Sequence, residues 1–223
     1  KLQWETYVGG KSSLWNCGAN FKRSNYILWS KMNTVLITGA AGFVGSHLAD
    51  KLVSFGEKVI GVDDLSTGNI NNIGKIYDFY HRSINDDLED IFERYQFNYV
   101  FHLAAFINLR ESIKDPKSCN YTNIIGSANL IDYCVRYKIK RFVFSSTGGA
   151  IYSPDAPLPW SEESATVPLS PYGMSKLATE RYLKIINELY GMPYSILRYG
   201  NVYGPRQDAK GEAGVISIFI NQI

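Results

Sequence analysis

The sequence predicts an α/β fold, a doubly wound parallel sheet with helices on both faces. Short apolar runs such as residues 34–37 are typical of parallel strands that are buried on both sides. Helical patterns follow these runs; Val44, Leu48 and Leu52, for example, stand four residues apart. The two patterns alternate along the chain, and strands that alternate with helices form a parallel sheet through right-handed crossovers.

The elements are expected in a regular order. Strands are predicted at residues 34–37, 57–62, 76–80, 98–103, 141–146 and 194–197. Helices are predicted from Phe43, near 88–95, at 117–137 and at 175–190. Residues 1–31 hold three of the four tryptophans and show no sustained period, so we interpret them as a leader unrelated to the fold.

Composition excludes several function classes. The chain has 223 residues, 45% of them hydrophobic and 20% charged, with a net charge of +2, so neither a nucleic acid nor a membrane surface is expected as partner. Its apolar runs stay short of the ~20 residues of a membrane span. The three cysteines, Cys17, Cys119 and Cys134, have no metal-ligand spacing and form no even disulfide set. We therefore expect no metal site and a cytoplasmic protein.

A glycine-rich turn connects the first strand to the first helix. Gly39, Gly42 and Gly45 stand there, with Phe43 and Val44 beginning the helix. Glycines in such a turn permit a tight bend, let a pyrophosphate approach the backbone and let the helix lie close to its strand. The unpaired amides at the helix start attract phosphate. By itself this pattern fits a purely structural turn equally well.

The end of the second strand makes a cofactor site the better interpretation. Asp63 and Asp64 follow the glycines by roughly 20 residues, where adenine ribose hydroxyls require an acceptor. A carboxylate at Asp63 would repel a 2′-phosphate, and residues 64–72 contain no Lys or Arg to neutralise one. The sequence therefore predicts NAD rather than NADP.

A tyrosine and a lysine four residues apart supply candidate chemistry. Tyr172 and Lys176 would share one helix face. A neighbouring ammonium favours the phenolate, which could accept a proton from an alcohol while hydride leaves for the cofactor. Ser145, Ser146 and Thr147 end the fifth strand, at the sheet edge where such folds bind ligands, so a hydroxyl there could contact the same oxygen.

Together these motifs resemble the extended short-chain dehydrogenase/reductase family. Within it, four further segments are similar to the NAD-dependent sugar-nucleotide epimerases that act on UDP-hexoses such as UDP-glucose and UDP-galactose: residues 102–105, 123–124, 145–152 and 197–207. The resemblance covers residues 32–223. It implies a Rossmann-type NAD-binding domain at 32–198 and the beginning of a small substrate-binding domain at 199–223.

The resemblance also implies an activity and roles for individual residues. It implies epimerisation at C4 of a UDP-sugar through a transient 4-keto intermediate. Tyr172 would be the base, Lys176 its electrostatic partner and ribose contact, and Thr147 the hydroxyl that orients the sugar. The implied NAD contacts are Gly39, Gly42, Phe43, Val44, Gly45, Asp63, Asp64, Leu103, Ala104, Ala105, Asn123, Tyr172 and Lys176. Substrate contacts would come from Thr147, Tyr172 and Asn201, and the full-length form would be a homodimer.

Other family activities remain as alternatives. Sugar-nucleotide dehydratases place an acidic side chain soon after the hydroxyl cluster, where this chain has Gly148 and Gly149. A reductase that releases its cofactor would more often use NADP, against Asp63. A non-catalytic nucleotide-binding protein would not need the hydroxyl, phenol and ammonium. Arg206 fits a diphosphate contact and a structural ion pair equally well, and His102 is interpreted as a packing residue.

Two features limit the expected activity. Ser153, Ser83 and Gly200 depart from the residues that relatives often carry, and the sugar (glucose, N-acetylglucosamine or a uronic acid) cannot be identified from this sequence. The chain also ends inside what the resemblance makes the substrate domain. We therefore expect this truncated polypeptide to bind NAD but to catalyse weakly or not at all.

Overall fold

The computed structural model describes residues 32–208 and Phe219. The leader expected at 1–31, and the part of the expected substrate domain at 209–218 and 220–223, lie outside the described residues. Six parallel strands form one sheet in the order β3-β2-β1-β4-β5-β6. They are β1 (Thr34–Thr38), β2 (Lys58–Asp63), β3 (Asp78–His81), β4 (Tyr99–His102), β5 (Arg141–Thr147) and β6 (Tyr194–Tyr199). The prediction of a doubly wound α/β fold is confirmed.

Helices connect the strands. They are α1 (Phe43–Ser54), α2 (Glu89–Arg94), α3 (Leu109–Lys114), α4 (Pro116–Asn120), α5 (Ser127–Arg136) and α6 (Pro171–Tyr190). A 3₁₀ turn occupies Ile70–Asn72, and a π-helical turn at Tyr121–Gly126 joins α4 to α5. The long helix predicted at 117–137 is therefore interrupted in its middle, and the short α3 was not predicted.

Both faces of the sheet are covered. Side chains alternate between the faces along a strand, so Leu36 of β1 packs into one core while Val35 and Ile37 pack into the other. The larger core also contains Phe142 and Phe144 of β5. Two layers of helices around one sheet explain why β1 reads as a continuous apolar run.

The order of the strands reverses direction beside β1. The chain runs from β1 outward to β3 and then returns to place β4 on the other side of β1. The strand ends are in register, because Thr38 pairs with Val62 of β2 and with His102 of β4. In sheets of this kind the crevice beyond the carboxyl ends at such a reversal is the ligand site.

Helix α6 begins earlier than the predicted start at residue 175. Pro171 takes its first position, where a missing N–H costs nothing, and the hydroxyl of Ser170 accepts a hydrogen bond from the Gly173 N–H at 3.1 Å. Because the helix begins at Pro171, Tyr172 lies in its first turn and not in the preceding loop.

Candidate active site

The turn after β1 has a shape that only small residues permit. Gly39 has φ of +73°, and a Cβ atom there would lie 2.7 Å from the backbone nitrogen of Ala104. At Gly45 a Cβ would lie 2.0 Å from the carbonyl oxygen of Gly39. Helix α1 begins at Phe43 without a side-chain cap, so its first amides are left for another acceptor. The backbone thus forms a cradle of the kind that binds phosphate.

A cleft of about 1150 Å³ opens beyond this turn, at the carboxyl ends of β1, β2 and β4. Its volume lies slightly above the usual range of small-molecule sites, about 300–1,000 Å³, in keeping with a ligand as large as a dinucleotide. Most of the predicted cofactor residues line it: Gly39, Gly42, Phe43, Val44, Gly45, Asp63, Asp64, Leu103, Ala104 and Ala105.

The two predicted acidic residues occupy different environments. Asp63 is buried, and its carboxylate accepts hydrogen bonds from the N–H of Ala41 at 2.9 Å and of Leu65 at 2.8 Å. Burial raises the pKa of Asp63. Asp64 is exposed, and one of its carboxylate oxygens accepts from the N–H and hydroxyl of Ser66. Asp63 is therefore the carboxylate that is fixed against the glycine turn.

Lys176 lies directly behind the cleft wall. Its ammonium donates a 3.0 Å hydrogen bond to the carbonyl oxygen of Ser145, and Ser145 lines the cleft. The side chain is buried, with Nζ 4.9 Å from the centre of the Phe144 ring. Burial lowers the pKa of Lys176 to about 8, since water is not there to solvate the charge.

Tyr172 and Thr147 come from elements that are in direct contact. The N–H of Tyr172 donates to the Ser112 hydroxyl at 3.2 Å, which anchors the start of α6. A Cβ on Gly173 would lie 2.1 Å from the carbonyl oxygen of Ala150, so the first turn of α6 packs against the segment that follows β5. Thr147 ends β5, and its hydroxyl accepts the N–H of Gly149 at 3.2 Å.

Thr147, Tyr172 and Lys176 are not among the residues that line the cleft, and two further predicted residues also lie outside its lining. Asn123 is buried; its amide group exchanges two hydrogen bonds with the backbone of Phe106 and donates to the Ser175 hydroxyl at 2.9 Å. It thus holds the cleft loop against α6, and its direct contact with NAD stays a prediction. Asn201 is exposed after β6, and its phosphate contact also stays a prediction.

Arg206 combines the two interpretations that the sequence left open. Its guanidinium pairs with Asp50 of α1 at 2.7 Å, and the residue also lines the cleft. The neighbouring carbonyl of Pro205 is hydrogen-bonded to His47 at 2.9 Å. The segment after β6 is therefore attached to α1 beside the glycine turn.

Sequence reasoning missed part of the cleft wall. The additional polar lining residues are Asn69, Asn72, Arg82, Asn108, Glu111, Thr122 and Gln207. Two of them carried a local signal, because Asn69 caps the 3₁₀ turn and Asn108 caps α3. Ser83 lines the cleft next to the buried Ile84.

Within residues 32–208, His, Cys, Asp and Glu form no cluster suited to a metal ion. A search of the described helices found none long and apolar enough to cross a membrane.

The glycine cradle at the strand-order reversal, with an acidic residue fixed against it, defines a dinucleotide-binding domain of the Rossmann type. The family model of the NAD dependent epimerase/dehydratase family matches residues 35–223. The chain belongs to this family, which confirms the resemblance drawn from its motifs.

Three relatives, two of them of known structure, support this membership. UDP-glucose 4-epimerase of Thermotoga maritima, solved with UDP-glucose, is 47% identical with a TM-score of 0.83; the match covers 85% of this chain and 62% of that one. The Thermus thermophilus enzyme, in complex with NAD, is 41% identical with a TM-score of 0.80, over 83% and 61% of the two chains. UDP-glucose 4-epimerase of Mycolicibacterium smegmatis is 38% identical over 82% of this chain and 61% of its own length. The chain thus spans about three fifths of these relatives.

Proposed function

We propose that this chain carries the cofactor site and the catalytic side chains of an NAD-dependent UDP-sugar 4-epimerase that interconverts UDP-glucose and UDP-galactose. One observation carries the proposal: the ammonium of Lys176 is buried against the cleft wall at Ser145, one helical turn after Tyr172. A protein that only binds a nucleotide has no need for a buried ammonium one helical turn after a tyrosine. The names and ligands of the relatives point to the same activity.

The residues present fit NAD. A Cβ on Gly39 or Gly45 would collide with backbone, so glycine is needed there for the tight turn and the close approach of α1 that a pyrophosphate-binding turn has. The amides at the start of α1 would bind the phosphates, and Asp63 would accept the ribose hydroxyls. Because Asp63 is the fixed carboxylate of the cleft, a 2′-phosphate would meet a negative charge there.

The chain's own residues would handle the proton. When bound, NAD supplies the hydride acceptor for C4 of the sugar and returns the hydride to the opposite face. Tyr172 would remove the proton of the 4-hydroxyl and give it back at the end of turnover. The positive charge of Lys176 favours the phenolate of Tyr172. The Thr147 hydroxyl would donate to the same sugar oxygen and hold it in line.

The neighbourhood of Thr147 favours epimerisation over dehydration. Expulsion of water from the sugar needs an acid beside the hydroxyl cluster, and Gly148 and Gly149 occupy those positions. Gly148 is also packed closely, since a Cβ there would lie 3.1 Å from the carbonyl oxygen of Tyr199. Any side chain at Gly148 would therefore require the neighbouring backbone to shift by a few tenths of an ångström.

We place the NAD-binding domain at residues 32–198 and the beginning of the substrate-binding domain at 199–223. The end of β6 at Tyr199 supports this boundary, since the last strand of the sheet finishes there. We also propose a cytoplasmic homodimer for the full-length form, as the motif resemblance implies, and a role in galactose metabolism, which the interconversion of UDP-glucose and UDP-galactose would serve.

The test is conversion of UDP-glucose to UDP-galactose by the chain with NAD, alongside calorimetric titration of NAD and NADP. UDP-N-acetylglucosamine and UDP-glucuronate serve as competing substrates. Tyr172→Phe should lower turnover by about 10²–10⁴-fold, as loss of a general base does, while NAD affinity stays within a few-fold. Tyr182→Phe, on the exposed part of α6, is the matched control.

Equal turnover of Tyr172→Phe and Tyr182→Phe would overturn the assignment of the base. Binding of NADP as tightly as NAD would overturn the role of Asp63. NAD binding without conversion of the three UDP-sugars would agree with the weak catalysis expected of a truncated chain, whereas failure to bind NAD would overturn the proposal.

A further inference from the structure

A chain of buried hydrogen bonds runs from the glycine turn to the catalytic helix. The hydroxyl of Thr38, at the end of β1, is 2.7 Å from Nδ1 of His102, at the end of β4. Nε2 of His102 is 2.8 Å from the Ser127 hydroxyl, which donates to the carbonyl oxygen of Asn123 at 2.5 Å. All four residues are buried. The proposed mechanism uses none of these contacts.

The contacts fix the direction of every bond in this chain. Ser127 gives its only proton to the Asn123 carbonyl, so it must accept from His102 Nε2–H. His102 therefore carries its proton on Nε2, and Nδ1 accepts from the Thr38 hydroxyl. Thr38 in turn accepts the N–H of Ala104, a cleft residue, at 3.3 Å. Burial lowers the pKa of His102 to about 3, in agreement with a neutral ring.

The π-helical turn makes this chain of hydrogen bonds reach α6. The Asn123 carbonyl oxygen accepts hydrogen bonds from two hydroxyl groups, that of Ser127 and, at 3.1 Å, that of Thr179 of α6. The Asn123 side-chain amide donates to Ser175 of α6, whose hydroxyl in turn donates to the carbonyl oxygen of Tyr172 at 2.8 Å. Asn123 thus holds the second and third turns of α6 by its side chain and its backbone. Ser127, fixed by His102, holds Asn123.

We propose that His102 is a positioning residue: through Ser127 and Asn123 it sets where the first turns of α6 stand relative to the cleft. The roles of Tyr172 and Lys176 in this inference rest on the proposed function, whereas the hydrogen-bonded arrangement does not. The imidazole acts as a spacer with an acceptor at one end and a donor at the other. It joins the strand ends that form the cleft to the helix that carries the phenol and the ammonium.

The first test reads the imidazole directly. In ¹⁵N NMR spectra of the chain, His102 should show the Nε2–H tautomer and no titration between pH 5 and 9. The ring of His81, which is exposed, provides the internal reference for these spectra. A pKa of His102 near 6.5, or the Nδ1–H tautomer, would overturn the proposal even if no variant folds.

The second test uses two substitutions that each keep one end of the spacer. His102→Gln can place an amide donor where Nε2 stands and so retain the bond to Ser127. His102→Asn can retain an acceptor for Thr38 but does not reach Ser127. Amide hydrogen exchange in residues 172–176 should be about tenfold faster in His102→Asn than in the wild-type chain, the loss of roughly one hydrogen bond. In His102→Gln the exchange rate of these amides should stay within a few-fold of the wild-type rate.

A matched core variant separates positioning from general loss of stability. Ile131→Val removes one buried methyl from α5, outside this network. This variant should lower the free energy of unfolding without selectively increasing the rate of amide hydrogen exchange in residues 172–176. Equal exchange in His102→Gln and His102→Asn, or the same pattern in Ile131→Val, would overturn the proposal. If the chain fails to bind NAD, the proposed function fails while these spectroscopic outcomes still decide the role of His102.

Discussion

The two walls of the candidate site differ in which part of the chain forms them: one wall is backbone and the other is side chains. On the cofactor side, the cradle around Gly39 and Gly45 consists of backbone, and any added Cβ there would collide with a neighbouring carbonyl or amide. On the catalytic side, the start of α6 is held by buried side chains, among them Lys176 and Asn123. A backbone cradle tolerates almost no change, whereas a side-chain network is lost one bond at a time. The following predictions test this difference.

The largest effect is expected in the backbone cradle. Gly45→Ala would place a methyl group 2.0 Å from the Gly39 carbonyl oxygen. The helix must move away from its strand, so we expect a loss of about 3 kcal/mol or more in the free energy of unfolding and no detectable NAD binding. Denaturant unfolding and calorimetry measure the two effects.

Gly56→Ala is the matched control for this prediction. Gly56 has φ of +85° but an open environment, with no atom within 4 Å of an added Cβ. Gly56→Ala should lower the free energy of unfolding by only about 1 kcal/mol, the cost of a left-handed backbone conformation for alanine, and should leave the NAD affinity unchanged. Equal losses in the two variants would show that the close contact at Gly45 is not decisive.

The next effect falls on the side-chain wall. Glu180 is buried on α6, where it pairs with Arg198 of β6 at 2.6 Å and accepts from the Ser146 hydroxyl at 2.5 Å. Glu180→Ala would leave Arg198 without its counter-ion, at a cost of about 3 kcal/mol. Lys114→Ala breaks an exposed pair with Glu111 and should cost less than about 1 kcal/mol. Urea denaturation compares them, and a similar small loss in both would contradict the prediction.

The same contrast explains what the sequence could predict. A glycine's role is local, so spacing alone located the cradle, and Asp63 followed from the end of a recognisable strand. The strand ends were predicted to within two residues because both faces of the sheet are covered, which leaves uninterrupted apolar runs.

Contacts between distant parts of the chain could not be predicted in this way. The helix expected at 117–137 is interrupted by a π-helical turn. In this turn the carbonyl oxygen of Asn123 accepts a hydrogen bond from Thr179, more than fifty residues away. Asn123 was predicted as a cofactor contact from a motif, but its amide bonds are to Phe106 and Ser175. Apolar periodicity carries no information about which polar groups meet across the fold.

A smaller effect with the opposite sign is expected at Lys176. Its pKa is about 8 in the folded chain, below the ordinary 10.5, so the unfolded state binds more protons between these values. Stability from this group therefore rises as pH increases from about 8 to 10.5 and is lowest at and below pH 8. At pH 7, Lys176→Met should be more stable than the wild-type chain by about 1–3 kcal/mol, since it removes a buried charge, and should lose turnover.

Unfolding of both proteins at pH 7 and pH 10 checks this prediction, because the difference between them cancels the titration of other groups. The advantage of Lys176→Met should shrink at the higher pH. A variant that is less stable than the wild-type chain at pH 7 would mean that the hydrogen bond to Ser145 outweighs the cost of burying the ammonium.

The smallest effect is expected where the cofactor wall depends on a side chain. Asp63→Asn retains one acceptor oxygen but turns an amide nitrogen toward the N–H of Ala41 or Leu65, and it removes the charge that faces the ribose. We expect about tenfold weaker NAD binding, the value of one charge-assisted hydrogen bond, and a smaller preference over NADP. Asp64→Asn changes an exposed carboxylate that bonds within its own turn, so its loss should be about two- to threefold. Calorimetric titration with both dinucleotides measures the four affinities. If Asp64→Asn shows the larger loss, the carboxylate fixed against the glycine turn is not the one that selects NAD, and the cofactor wall depends on its exposed loop instead of its buried frame.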